Sequence, residues 1–150
     1  MNLTWTCKVF ENLTPGELYN ILQLRSEIFV VEQNCVFLDM DNKDQSSVHL
    51  MGWQQNKLLA YARILPAGIS YVESSIGRIV VSPMSRRTGI GRPLLIQSIE
   101  TLYRLYGKVD IKIGAQLYLK KFYESFGFIQ SGEIYMEDGI QHIEMILTSK

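Results

Sequence analysis

The sequence predicts a mixed α/β fold of the α+β kind, with a central, mostly antiparallel, twisted sheet flanked by helices. Runs with strand periodicity alternate with amphipathic helical segments along the chain. Most of the strands follow one another across short turns, which favours antiparallel pairing. No repeat, linker or low-complexity tract divides the chain, and its 150 residues suit one domain. We therefore expect a single domain over residues 1–150.

The chain is expected to begin with a strand and a long helix. In the segment Trp5 to Phe10, Trp5, Cys7 and Val9 alternate with polar residues, as on one face of a strand. Thr14-Pro15-Gly16-Glu17 then has the order of a helix start, because threonine can cap, proline suits the first turn and glutamate completes a capping box. Helical spacing continues to about Phe29, and the acidic residues 39–44 predict a loop.

The middle of the chain predicts three strands and a second helix. Val48–Trp53 and Leu58–Leu65 are two strands joined by a short polar turn. The run Ile76–Val81 is apolar and β-branched and ends at Ser82-Pro83, which predicts a third. A helix is expected from Arg92 to about Tyr106, because apolar residues recur on one stripe of it.

The last third predicts a strand, a helix and a hairpin. Val109–Ile113 is the expected strand, and Leu117–Phe126 the expected helix, closed by Gly127. Asp138-Gly139 is a strong two-residue hairpin turn. The two hairpin strands are expected at Phe128–Met136 and Ile140–Leu147.

The charge and cysteine content narrow the classes of function. Lys+Arg and Asp+Glu both total 15, so the basic excess that nucleic acid or an acidic membrane would attract is missing. Cys7 and Cys35 are interpreted as free thiols in a reducing compartment, without the spacing of a metal or redox motif. Residues 1–6 lack the features of a signal peptide, and no apolar run approaches about 20 residues. We expect a cytoplasmic protein that binds no metal, nucleic acid or membrane.

A glycine-bearing loop, Arg86-Arg87-Thr88-Gly89-Ile90-Gly91, joins a predicted strand to a predicted helix. The unpaired N–H groups and the dipole of a helix start form an anion site suited to a pyrophosphate, and Arg86, Arg87 and Arg92 can add charge there. A Walker A loop is excluded because Gly-Lys-Ser/Thr is missing, and a dinucleotide fingerprint because Leu94 replaces its third glycine. A turn that only connects two elements is the alternative.

Two segments resemble the signatures of the GNAT superfamily of N-acetyltransferases. Arg86-x-x-Gly89-x-Gly91 is similar to its pyrophosphate-binding motif, and the segment Phe122–Phe128 resembles its aromatic helix ending in Gly-Phe. The order of elements agrees over nearly the whole chain. Four further segments resemble the ElaA-type branch of the superfamily: Leu24–Cys35, Tyr61–Ile64, Gly114–Gln116 and Asp138–Ile140 with His142.

The resemblance implies an enzyme that moves an acetyl group from acetyl-CoA directly to an amine and releases CoA. It implies that backbone groups near Val80 and Val81 hold the pantetheine arm and that one N–H there polarises the thioester carbonyl. The cofactor-binding residues implied in this way are Ile79, Val80, Val81, Arg86, Arg87, Thr88, Gly89, Ile90, Gly91, Arg92, Gln116 and Tyr123.

The same resemblance gives Tyr123 the role of the acid that protonates the leaving thiolate. A core aromatic on an amphipathic helix is the other interpretation of Tyr123. Glu32 and His142 are candidates for the general base and for acceptor binding, although Glu32 could equally be a solvated helix-end carboxylate. Arg78 is either an acceptor-binding residue on the buried side of a strand or a surface residue.

Two other residues are given lesser roles. His49 is interpreted as a strand residue whose ring has its hydrogen bonds within the fold. Cys35 is disfavoured as a nucleophile because no histidine or other group that would lower its pKa is evident nearby in the sequence.

The sequence leaves the acceptor open. An active acetyltransferase acting on a small-molecule or peptide amine is the first interpretation, and a CoA-binding sensor or interaction module with little catalysis is the second. The segment around residues 25–45 and the last hairpin are expected to select the acceptor. Both could equally shape an interface between two copies, so a homodimer is one of the states left open.

Overall fold

Seven strands form one sheet in the computed structural model, which describes residues 2–149. The strands are β1 Thr4–Val9, β2 Val48–Gln54, β3 Lys57–Leu65, β4 Ser74–Val81, β5 Ile111–Gln116, β6 Ile129–Glu137 and β7 Ile140–Leu147. Their order across the sheet is β1-β2-β3-β4-β5-β7-β6. All neighbouring pairs are antiparallel except β4 and β5, which are parallel. The predicted mostly antiparallel sheet with flanking helices is confirmed.

The first helix begins at the capping box that the sequence predicts. In α1, Pro15–Arg25, the Thr14 hydroxyl accepts the Glu17 N–H at 3.1 Å, and the Thr14 N–H donates to the Glu17 carboxylate at 2.8 Å. The helix then continues as a π-helical segment, Ser26–Glu32, whose wider turns often mark functional sites. The expected end near Phe29 is therefore three residues early.

Two hydrophobic clusters cover the two faces of the sheet. The helix α1 packs Ile21 and Leu24 with Tyr61 of β3. The longer helix α2, Gly91–Tyr106, packs Leu94 and Leu102 on the opposite face, with β3, β4, β5 and β7. Together these clusters bury both faces of the central strands, as in other sheets that are covered by helices on both sides. Among residues 2–149, no helix is both long and apolar enough to cross a membrane.

Two predicted boundaries in the last third were wrong. The strand expected at Val109–Ile113 lies at Ile111–Gln116, because these are the residues that β7 pairs with, and Val109 instead closes a turn onto the Gly107 carbonyl. The helix expected at 117–126 is divided into a 3₁₀ turn, Leu117–Leu119, and a short helix α3, Lys120–Glu124. Strand pairing in the tertiary fold overrides local propensity here.

The strands β4 and β5 are paired at two positions only. Ser74 pairs with Ile111 and Ser75 with Lys112, after which the two strands separate. On its other side β4 carries a bulge. Tyr61 pairs with Val80 but Arg63 pairs with Gly77, so Arg78 and Ile79 both lie opposite one residue of β3. The result is a V-shaped gap in the middle of the sheet.

Candidate functional site

A cleft of about 920 Å³ occupies the gap between β4 and β5. Its walls come from the separated ends of both strands, from the π-helical segment and from the turn of the β6–β7 hairpin. Ten of the residues predicted from the sequence line it: Glu32, Arg78, Ile79, Val80, Val81, Arg86, Gly91, Gln116, Tyr123 and His142. The fold therefore brings most of the predicted site together in one cavity.

The start of α2 lies at one mouth of this cleft. Gly89 has φ +80°, a backbone conformation that glycine adopts without strain, and the chain turns there into the helix. The first i to i−4 bond runs from the Leu94 N–H to the Ile90 carbonyl, and no side chain caps the helix start. The N–H groups of Gly91 and Arg92 therefore have no helical partner, which leaves an anion site.

The other loop residues have different surroundings. Arg86 lines the cleft and forms an ion pair with Glu32, whereas Arg87 is exposed at φ +65°. The Thr88 hydroxyl donates to the Ser85 carbonyl. The Ile90 side chain is buried in the core, so Ile90 can contribute only its backbone. The Arg92 guanidinium lies 4.4 Å from the centroid of the Phe126 ring and donates to the Ser125 hydroxyl at 3.0 Å.

The backbone of β4 offers a hydrogen-bond donor to the gap. The Ser82 N–H donates to the Leu59 carbonyl at 2.8 Å, across to the β3 side. Because N–H groups alternate in direction along a strand, the N–H of Val81 points the other way, to the open side of β4. The Ile79 and Val80 side chains complete this wall of the cleft.

Tyr123 of α3 lies in the cleft wall and is buried among aromatic rings. Its ring meets those of Phe122 and Phe128 edge-on, with centroids 5.3 and 5.9 Å away. Burial, with a smaller contribution from Tyr118, raises the pKa of the Tyr123 hydroxyl above its usual range. The phenol is therefore protonated at neutral pH, as a proton donor must be. Tyr123 is both packed in the core and part of the cleft, so the two interpretations from the sequence are compatible.

The opposite end of the cleft is formed by the hairpin and by Tyr71, which precedes β4. His142 stacks on the Tyr135 ring at 5.6 Å, and its Nδ1 lies 2.8 Å from the Ile140 carbonyl. A carbonyl only accepts, so Nδ1 carries the proton and the neutral ring keeps a lone pair on Nε2. That nitrogen lies 3.7 Å from the Glu137 carboxylate. Neutral His142 can therefore accept a proton at Nε2 and hold it beside a carboxylate.

Tyr71 and Tyr135 were not among the predicted site residues. Their hydroxyls both lie above Gly114 of β5. A Cβ on Gly114 would lie 2.6 Å from the Tyr135 hydroxyl and 2.9 Å from that of Tyr71. The glycine is thus required for the close approach of two phenols, a role that a glycine within a strand can indicate.

We expect Gly114→Ala to lower the free energy of unfolding by about 1–3 kcal/mol, because the added methyl group collides with both phenols. Urea unfolding monitored by circular dichroism measures this change. Tyr135→Phe removes the nearer oxygen, so the double variant Gly114→Ala/Tyr135→Phe should recover at least half of the loss. Additive losses in the double variant would contradict the close approach described here.

The end of the π-helical segment and the residues just after it contact the other side of the cleft at three points. Glu32 pairs with Arg86 of the glycine loop. The Gln33 and Gln116 amides exchange two hydrogen bonds of 3.3 and 3.4 Å. The Cys35 thiol lies 2.9 Å from the Asp138 carbonyl at the hairpin turn. Glu32 is thus a half-exposed carboxylate at the end of a helix, already paired with a cation.

A group of buried and half-buried ion pairs adjoins the cleft, and three of its members, Asp41, Arg63 and Arg78, line it. Its members are Arg25, Asp39, Asp41, Asp44, Arg63 and Arg78, which alternate in charge. The Arg78 Nε lies 2.8 Å from Asp39 Oδ1 in an ion pair that is not aligned as a hydrogen bond. The carboxylate that a half-buried Arg78 needs thus comes from the acidic segment 39–44, which the sequence indicated only as a loop.

His49 lies beneath this group with both ring nitrogens bonded. Its Nδ1 is 2.7 Å from the Tyr61 hydroxyl and its Nε2 is 2.9 Å from the Asp44 carbonyl. The carbonyl fixes the proton on Nε2, so Nδ1 accepts from Tyr61. Burial lowers the pKa of His49, and the nearby Arg25 and Arg63 lower it further. The prediction of a histidine satisfied within the fold is confirmed.

Comparison with known proteins agrees with this architecture. The family model of the acetyltransferase (GNAT) domain matches residues 28–149. The protein ElaA of Escherichia coli is 40% identical over 145 residues, covering 95% of each chain. Its crystal structure superposes with a TM-score of 0.90, at 39% identity over 97% of this chain and 99% of that one.

Two further solved structures extend the comparison. An acyl-CoA N-acyltransferase from Pseudomonas aeruginosa superposes with a TM-score of 0.93, at 39% identity over 97% of this chain and 99% of that one. An aminoglycoside 6′-N-acetyltransferase complexed with coenzyme A shares the fold with a TM-score of 0.68, at 15% identity over 97% of each chain. The chain therefore belongs to the GNAT acetyltransferase family, in its ElaA-type branch.

Proposed function

We propose that this protein transfers an acetyl group from acetyl-CoA directly to the amine of a small molecule or peptide, in the cytoplasm. The observation that carries the proposal is the cleft between β4 and β5, which has an uncapped helix start at one mouth and a buried phenol in its wall. The GNAT relatives support it, among them one solved with coenzyme A.

The cofactor half of the cleft has the groups that an acyl-CoA needs. The pyrophosphate would accept hydrogen bonds from the N–H groups at the start of α2, with Arg86 and Arg87 adding positive charge. The pantetheine arm would lie along Ile79–Val81 in the place of a missing strand partner, with Gln116 on the facing strand. The Val81 N–H would then polarise the thioester carbonyl. Arg92, already held by Phe126 and Ser125, would mainly position the loop.

The reaction needs two proton transfers, and the cleft offers a group for each. The amine nitrogen attacks the carbonyl carbon, the C–N bond forms and the C–S bond breaks. The Tyr123 hydroxyl gives its proton to the departing thiolate. His142 Nε2 takes the proton from the amine, and Glu137 stabilises the resulting imidazolium. We assign His142 this role over Glu32, because Glu32 already pairs with Arg86.

The loop assignment is tested by one pair of glycine variants at the two ends of α2. Gly89 has φ +80° and Gly107 has φ +86°, and a Cβ would meet nothing within 4 Å at either position. Valine at each site costs about 1–3 kcal/mol of backbone strain, so both proteins should lose thermal stability. We expect Gly89→Val to bind acetyl-CoA at least about tenfold more weakly, because the loop must rearrange.

Calorimetric titration with acetyl-CoA measures this difference, with Gly107→Val as the control for lost stability. Gly107→Val should bind acetyl-CoA as the wild type does, because it lies at the far end of the helix. Equal weakening in both variants, or in neither, would remove the glycine loop from the binding site.

A further inference from the structure

The buried carboxylate of Asp39 forms ion pairs with two arginines that belong to different parts of the fold. Asp39 Oδ2 lies 2.8 Å from the Nε of Arg25, the last residue of α1, and Asp39 Oδ1 lies 2.8 Å from the Nε of Arg78 in β4. The Asp39 carbonyl also accepts from Arg78 at 2.7 Å. Asp39 is 4% exposed, so these contacts are shielded from competing water. The carboxylate thus ties the strand to the helix.

The second of these arginines, Arg78, lies at the bulge of β4. Arg78 has φ +49°, which is rare for a residue with a side chain and is strained within a strand. Such a conformation persists only where the surroundings enforce it. If Arg78 relaxed to extended backbone, the register of β4 would shift by one residue. The N–H of Val81 would then turn from the gap to β3, because direction alternates along a strand.

We propose that Asp39 is a positioning residue, which holds the bulge at Arg78 so that the β4–β5 gap stays open and the Val81 N–H points to the thioester carbonyl. This inference rests on the proposed function, because it assigns that N–H to acetyl-CoA. The predicted acceptor role of Arg78 is compatible with it, since 23% of the Arg78 side chain is exposed.

The chain offers a matched control for Asp39. Asp44 is also buried, and it also bridges two arginines, Arg25 at 2.8 Å and Arg63 at 3.0 Å. It does not contact Arg78 in the part of the chain that the structure describes. Asp39→Asn and Asp44→Asn therefore remove similar charges from the same group of ion pairs. Only the first removes a charge beside Arg78, whose remaining carboxylate contact is Asp41 Oδ2 at 3.4 Å.

The experiment measures the carbonyl stretching frequency of acetyl-CoA, labelled with ¹³C at the carbonyl, by difference infrared spectroscopy. A hydrogen bond from the Val81 N–H lowers this frequency, and a general loss of stability does not. We expect a lowered frequency in the wild type and in Asp44→Asn. In Asp39→Asn, measured with acetyl-CoA at saturation, it should return to the value in solution. CoA should also bind this variant more weakly than it binds Asp44→Asn, because the gap that holds the pantetheine arm is narrower.

A second pair of variants decides the matter if Asp39→Asn does not fold. In Arg78→Ala the guanidinium that contacts Asp39 is missing, and alanine disfavours positive φ. We therefore expect this variant to lose the frequency shift. Arg78→Gly tolerates that conformation and should keep part of the shift. A full shift in Asp39→Asn or in Arg78→Ala would overturn the inference, as would a wild type that binds acetyl-CoA with an unshifted carbonyl. A wild type that fails to bind acetyl-CoA would overturn the proposed function itself, and the inference with it.

Discussion

Tyr123→Phe is expected to lower kcat by about 10²–10⁴-fold with any accepted amine, because it removes the proton donor for the CoA thiolate. The ring remains, so its edge-on contacts with Phe122 and Phe128 stay in place. The affinity for acetyl-CoA should therefore change little. Thiol release in a screen of amine acceptors measures turnover, and calorimetry measures the affinity. This result would also separate an active enzyme from a CoA-binding module, which would show no turnover to lose.

The matched control for Tyr123 is Tyr118, a second phenol that lines the same cleft. Tyr118 is 76% exposed, so water can replace its hydroxyl at little cost. Tyr118→Phe should keep kcat within about threefold of wild type. An unchanged kcat in Tyr123→Phe would contradict the assignment, because a group that transfers a proton in the slow step cannot be removed without effect.

Arg25→Met is expected to lower the free energy of unfolding by about 3–5 kcal/mol, the largest stability effect we predict. The Arg25 side chain is fully buried, and it contacts Asp39 and Asp44 at 2.8 Å each. Methionine fills much of the volume but leaves two buried carboxylates with only Arg63 and Arg78 as partners. Urea unfolding at pH 7 measures the loss. The control Arg104→Met, at an exposed position on α2, should change stability by no more than about 0.5 kcal/mol.

The same ion pairs give the stability a defined pH dependence. Burial opposes the ionisation of Asp44, but hydrogen bonds and charge from Arg25 and Arg63 outweigh it and hold its pKa below the usual range. The stabilisation is complete above the unfolded pKa of about 4, and it is lost as pH falls below that value, because the unfolded chain then binds the proton first. Arg25→Met should show a shallower loss between pH 5 and 3. An equally steep loss would contradict the pairing.

The end of the cleft at the start of α2 could be predicted because its signals are local. The glycine loop and the aromatic segment of Tyr123 each lie in one short stretch of sequence. The opposite end of the cleft could not, because its parts meet only in the fold. Tyr71 and Tyr135 are 64 positions apart and have no motif, yet they converge above Gly114.

The buried ion pairs also could not be predicted from the sequence. The sequence indicated residues 39–44 only as an acidic loop, whereas Asp39 and Asp44 lie at the centre of a buried group. The signal that could have found them is the set of arginines at Arg25, Arg63 and Arg78, each spaced so that it shares a face with apolar residues of its helix or strand. Their number matches that of the carboxylates in the loop, but pairing them requires knowledge of which strands are neighbours.

Calorimetric titration of the wild-type protein with acetyl-CoA, with CoA and ATP as comparisons, measures whether the cleft binds a CoA thioester. We expect saturable binding of acetyl-CoA and CoA and weak or no binding of ATP, because the proposed site in the β4–β5 gap holds the pantetheine arm that ATP lacks. No binding at millimolar acetyl-CoA, or binding of ATP as tight as that of CoA, would contradict the proposed site.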